Sequence, residues 1–120
     1  MTELQMGPIE SRFADIIWTN EPISSSELAK KSEAELTWKK TTSYTVLKRL
    51  CGKGIFVNNR GTVTSLISRE QFYSMQSAQY VEETFDGSLP AFIAAFTKQK
   101  KLSSKEIAEI KKMIEEAEEK

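Results

Sequence analysis

One stretch constrains this chain more than any other. The segment WKKTTSYTVLKRLCGKG reads as a helix, and two runs rich in β-branched residues follow it at once, IFV with its aromatic and TVTSLI, around the turn Asn58-Asn59-Arg60-Gly61. The runs predict a β-hairpin, and Gly52 and Gly54 end the helix before it by admitting the positive φ of a C-cap. Between Glu35 and Glu70 there is no acidic residue, yet the window holds Lys39, Lys40, Lys48, Arg49, Lys53, Arg60 and Arg69. The whole chain balances 17 basic against 17 acidic residues, so its zero net charge conceals a segregated field. A cationic, hydroxyl-rich helix followed by a basic hairpin suits a duplex nucleic acid. The cations neutralise phosphates, and Thr and Ser hydroxyls bond phosphates or base edges.

The residues before the window supply the rest of a domain. Gly7-Pro8 opens a first helix, with proline where a missing N–H costs nothing. Ile9, Phe13, Ile16 and Ile17 recur at helical spacing, and Asn20 and Pro22 end it. Ser24 with Glu27 is a capping box for a second helix, with Leu28 and Ala29 inward, Lys30, Lys31 and Glu33 solvated, and a looser stretch from Glu33 to Thr37. The third helix runs from about Lys40 to Gly52. At 100° per residue, Ser43, Leu47, Leu50, Cys51 and Gly54 fall on its inner side, and Thr42, Thr45, Arg49 and Lys53 on the other. Three helices and a hairpin in this order predict a winged helix-turn-helix over residues 1–67, with the third helix in the major groove and the hairpin as its wing.

The expected DNA contacts are Thr42, Thr45 and Arg49. Lys39, Lys40, Lys53 and Arg60 are expected on phosphates, joined by the hydroxyl of Tyr44. Trp38 serves equally as a phosphate donor or as a core anchor. Cys51 reads as a small buried hydrophobe.

Residues 68–120 are expected to be wholly helical. Ser68-x-x-Gln71 is a second capping box, opening a helix to about Phe85 that carries Phe72, Met75, Tyr80 and Val81. Asp86-Gly87-Ser88 breaks it. A short apolar helix carries Leu89, Phe92, Ile93 and Phe96, and Ser103-x-x-Glu106 opens a last one with Ile107, Ile110 and Ile114. Such a tail is too thin to bury its own apolar stripes, and a second copy of the chain is the economical cover. Phe72, Met75, Leu89, Phe92, Ile93, Phe96, Ile107, Ile110 and Ile114 are therefore expected to form a homodimer; folding back on the winged helix is the alternative. The fold class expected is mainly α with a small β-hairpin: a winged helix-turn-helix plus a C-terminal helical dimerisation subdomain.

Absences in the sequence narrow the function. No histidine is present, which removes imidazole acid–base chemistry, and one cysteine without histidine offers no soft ligand set for zinc or copper. No phosphate-cradling glycine loop occurs. An enzyme, a metal and a cofactor are thus not expected. No apolar run nears the roughly 20 residues that span a bilayer, so membrane insertion is not expected. MTELQMGPIESRF lacks a signal-peptide pattern, and a lone cysteine fits a reducing compartment. The expected location is the cytoplasm.

The segment TWKKTTSYTVLKRLCGKGIF resembles the recognition-helix signature of the BlaI/MecI penicillinase-repressor family: an aromatic, then Thr-x-x-Thr, a hydrophobic pair, Arg-Leu and Lys-Gly-hydrophobic. GPIESRFADIIW resembles that family's first helix and DGSLPAFIAAFTKQKKLSSKEIAEIKKMIEE its dimerisation tail, so the likeness covers nearly the whole chain. The resemblance implies a dimeric winged-helix repressor on a palindromic operator upstream of β-lactamase or similar resistance genes. It further implies release by a membrane sensor-protease that cuts the tail. Where relatives carry an Asn-Phe cleavage bond, this chain has Ala95-Phe96; its wing is also shorter than theirs. The tail lacks the cysteines of the copper-responsive branch. Two other readings stand beside this one: a winged-helix regulator with a small-molecule pocket lined by the tail aromatics, and a winged helix used for protein contacts alone.

Overall fold

The computed structural model describes residues 6–118. Six helices and three short strands follow in the order α1 (Pro8–Asn20), β1 (Ile23–Ser24), α2 (Ser25–Leu36), α3 (Lys40–Gly52), β2 (Phe56–Asn59), β3 (Thr62–Ser65), α4 (Arg69–Phe85), α5 (Leu89–Gln99) and α6 (Ser104–Glu118). The mainly helical winged helix-turn-helix expected from the sequence is present, and its sheet has three strands rather than two. Ile23 pairs with Val63 and Ser24 with Thr62, giving the order β1-β3-β2, all antiparallel. A two-residue strand has too little periodicity to be read from sequence.

Local chemistry accounts for the boundaries. Pro8 and Glu10 occupy the first turn of α1, where a missing N–H and a negative charge both suit the helix end. Asn20 closes α1 by donating its side-chain amide to the carbonyl of Ile16 at 2.7 Å. Ser24 caps α2 by accepting the Glu27 N–H at 3.0 Å. That helix continues to Leu36, so most of the stretch from Glu33 to Thr37 expected to be looser is helical, and it stops at Thr37 in the left-handed region (φ 58°). At the end of α3, Ile55 N–H bonds Leu50 O, Gly54 N–H bonds Cys51 O, and Gly54 takes φ 82°. This is a Schellman ending, and it seats Ile55 beside Leu50 in the core. Gly54 therefore supplies the positive φ, whereas Gly52 remains helical. The hairpin turn is tighter than expected: Asn59 pairs with Thr62, leaving Arg60 (φ 55°) and Gly61 (φ 90°) as a two-residue loop of type I′ character. Asn58 Oδ1 accepts the Gly61 N–H at 2.9 Å and steadies that loop.

The chain divides into two units between Gln79 and Tyr80. The first closes a core of Phe13, Ile17, Leu28, Leu50, Ile55, Phe56, Val63 and Phe72, each at most 1% exposed. Trp18 joins its parts. Its indole N–H donates to Ile67 O at 3.0 Å, and its ring lies 5.2 Å from Phe56 and 5.8 Å from Phe72. Arg69, at the start of α4, pairs with Asp15 at 2.9 Å and bonds Thr19, so that cation belongs to the scaffold. Phe72 departs from its expected place. It is fully buried in this core, because the first turns of α4 pack with the winged helix; it offers nothing to a dimer stripe, and this unit runs past residue 67.

The second unit holds the end of α4 with α5 and α6. The expected capping boxes form: at the start of α4, in the first unit, Ser68 and Gln71 bond each other's backbone at 3.0 Å both ways, and at the start of α6 Ser103 and Glu106 do so at 3.0 and 3.1 Å. Ser88 caps α5 through the Ala91 N–H. Tyr80, Phe85 and Phe92 form an edge-to-face cluster with ring centroids 5.6 to 6.1 Å apart. No residue of α5 or α6 is buried. No helix among the described residues is long and apolar enough to cross a membrane.

Candidate nucleic-acid interface

Helix α3 determines what the first unit can present. Its buried residues are Ser43, Val46, Leu47 and Leu50. Cys51 is only half-buried, less than expected of a small buried hydrophobe. Burial raises its thiol pKa, partly offset by a hydrogen bond from the Asn58 backbone. With Val46 inside and Cys51 at the margin, the inner face is rotated from the one the sequence suggested. The outermost stripe becomes Thr41, Thr45, Lys48 and Gly52, all exposed and spaced i, i+4, i+7, i+11. Thr42 is exposed on one flank of that stripe and Tyr44 on the other.

Thr45 is on the outer stripe, its hydroxyl donating to Thr41 O at 2.9 Å. That bond leaves the hydroxyl oxygen's lone pairs outward. Lys39 is the N-cap of α3 without a side-chain cap bond, and Lys40 is its first residue; both are exposed. The first turns of α1, α2, α4 and α6 each carry an acid, but that of α3 carries none. Two lysines at a helix N-terminus oppose the macrodipole, and an anion placed there would relieve both. Arg60 is exposed at the tip of the hairpin. Lys53 is half-buried at the C-cap of α3, its N–H bonded to Arg49 O at 3.1 Å.

Two of the residues considered for DNA have partners within the first unit. Arg49 points back to α1, with Nη1 3.2 Å from Glu10 Oε2. The pair is close but lies outside hydrogen-bond alignment. Glu10 is 19% exposed, and its other oxygen takes the Gly7 N–H at 3.3 Å. Arg49 is thus oriented by the first helix. Trp38 stacks on Phe13 with centroids 5.0 Å apart, the core-anchor role of its two readings. Sequence reasoning missed Thr41 and Lys48. Counting Val46 among the inner residues would have found them, since its β-branched apolar side chain lies at helical spacing from Leu50.

Between α3 and the hairpin runs a groove of about 460 Å³. Tyr44, Lys48 and Asn58 supply its polar groups, and Leu47, Cys51, Phe56, Val57 and the exposed Leu66 complete its lining. Among the described residues no cluster of His, Cys, Asp or Glu could hold a metal ion.

Over residues 6–116 the chain matches the penicillinase repressor family. It is also similar to a penicillinase repressor of Bacillus licheniformis, 27% identical over 116 residues, which covers 93% of this chain and 91% of that protein. A match across almost the full winged helix and tail, on the fold just described, places this chain in the penicillinase repressor family.

Proposed function

We propose that this protein is a dimeric, sequence-specific DNA-binding transcriptional repressor. The observation that carries the reading is the face formed by α3 and the hairpin: exposed Thr41, Thr42, Thr45, Lys39, Lys40, Lys48 and Arg60 in a window without acids. Helix α3 enters the major groove with its hydroxyls toward base edges, and the lysines and Arg60 meet phosphates. The unburied apolar side chains of the tail, among them Met75, Leu89, Ile93, Phe96, Ile107 and Ile114, with Phe92 and Ile110, support a symmetric dimer. Two α3 helices then read a palindrome with half-sites about one helical turn, or a multiple of it, apart. By likeness to the family, the targets are β-lactamase-type resistance genes, and the release step is tail cleavage by a membrane sensor-protease. Ala95-Phe96 lies within α5, so cutting there requires that turn to unwind first. A cytoplasmic location follows from this role.

The test is fluorescence anisotropy with the duplex lying upstream of the protein's own gene, and with its scrambled counterpart, across a salt series. The expected result is tighter binding to the native duplex, with log affinity falling linearly in log salt. Equal affinity for both duplexes, or no response to salt, sinks the reading.

A further inference from the structure

We propose that the groove between α3 and the hairpin is the cleft that receives a DNA phosphate strand, that Lys48 is its cation, and that Arg49 is an internal strut. The proposal rests on the DNA-binding reading above. Neighbouring major and minor grooves of a duplex are separated by one phosphate strand. If α3 occupies the major groove and the wing reaches the next groove or its backbone, that strand passes between them. The structure has a groove in that position, with polar groups from Tyr44, Lys48 and Asn58. Those three residues match a phosphate: an ammonium, a phenolic O–H and a side-chain amide. None of the residues lining the groove is acidic. Lys48 is exposed and lies on the same outer stripe as Thr45, so one helix face can set bases and backbone together.

Arg49, next in sequence, is turned about 100° around the helix from Lys48 and faces α1. Its guanidinium lies 3.2 Å from Glu10, a carboxylate mostly withdrawn from solvent. Glu10 also accepts the Gly7 N–H at the start of α1. The Arg49 side chain stays 51% exposed, but the Glu10 carboxylate already offsets its charge, so a phosphate would gain less from it than from Lys48. Arg49 is therefore a positioning residue that fixes α3 against α1.

The discriminating experiment measures duplex affinity against salt, and thermal melting, for wild type, K48Q, R49Q and E10Q. Loss of one phosphate contact lowers the salt slope by about 0.9 for each winged helix on the DNA. K48Q should show that loss, weaken native and scrambled duplexes by the same factor, and melt like wild type. R49Q should melt earlier and keep the wild-type slope. E10Q is the milder variant should R49Q fold poorly. Under this assignment it leaves the slope unchanged, whereas an Arg49 near phosphate, freed of its carboxylate, would steepen it. A wild-type slope in K48Q, a shallower slope in R49Q, or a steeper one in E10Q overturns the assignment while leaving DNA binding intact. If wild type itself shows no salt-dependent binding, the DNA-binding reading fails and this one with it.

Discussion

The two units of this chain spend the same kinds of residues in opposite ways. Every buried hydrophobic side chain among the described residues lies before Tyr80. From Tyr80 onward the helices are capped and amphipathic, yet Leu89, Phe96 and Ile114 stand 52%, 45% and 57% exposed. The first unit converts its apolar residues into an interior. The second is defined locally, by Ser88 and by the Ser103–Glu106 box, and lacks an interior. Short helices are marginal without tertiary packing, so the tail needs a surface that its own fold does not supply. Stability and assembly should accordingly separate along the chain.

The largest effect expected from that separation is on assembly. A chain ending at Ala95 loses Phe96 and all of α6 while keeping every candidate DNA contact. It should sediment as a monomer and bind the operator roughly 100-fold more weakly or worse, because two tethered half-site contacts become one. The first unit should melt at its original temperature. Analytical ultracentrifugation with anisotropy decides the matter; a dimer of full affinity would remove both the tail's role and the cleavage switch.

Next in size is the contrast between two phenylalanines. Phe72→Ala opens a cavity in the first unit and should cost about 3–5 kcal/mol of its stability, read by denaturant unfolding. Phe96→Ala should leave that unfolding unchanged and raise the concentration at which dimers dissociate. If the two variants behave alike, the units are one cooperative body and the comparison breaks.

Much of this was legible in the sequence, for reasons visible residue by residue. Caps are local, so Ser68 with Gln71, Ser103 with Glu106 and Gly54 could be read from neighbours alone. The order of helices and hairpin is likewise local, and it yields the winged helix. Phe72 was misplaced because a helical stripe shows which residues face inward but not whose interior they enter. The pairing of Arg49 with Glu10 was not legible, because Glu10 lies far off in sequence, outside the acid-free window that marks the candidate face. An absence of acids along the chain does not ensure their absence in space. The wheel of α3 was rotated because Cys51 was counted inside and Val46 was not.

A smaller effect sharpens the reading of the face itself. Thr45→Ala removes a hydroxyl whose bond within the structure is to Thr41 O, on the exposed side of α3. Folding stability should barely change, since no core volume is lost. Operator affinity should fall by about 1–3 kcal/mol if the hydroxyl reads a base, and less if it touches only phosphate. Scrambled duplex separates the two, because a phosphate contact is lost equally from both DNAs. Unaltered binding to the native duplex would move the base-reading face away from Thr45.

The smallest effect concerns Cys51, which reports on the first unit alone. Burial raises its thiol above the ordinary value of 9.0, and the Asn58 backbone bond offsets part of that rise. The folded state therefore favours the protonated thiol. Its contribution to stability is complete below the unfolded pKa and is lost as pH rises through the folded one. Thermal melting should show a slight alkaline decline above about pH 9, and Cys51→Ala should flatten it. Since the thiolate is the nucleophile, alkylation at neutral pH should be slower in the folded protein than in urea. The chain ending at Ala95 should alkylate at the folded rate, because the groove over Cys51 is built wholly from residues of the first unit. A faster rate in that truncated chain would mean that the tail helps to close the α3–hairpin region, and that the two units are coupled where the burial pattern separates them.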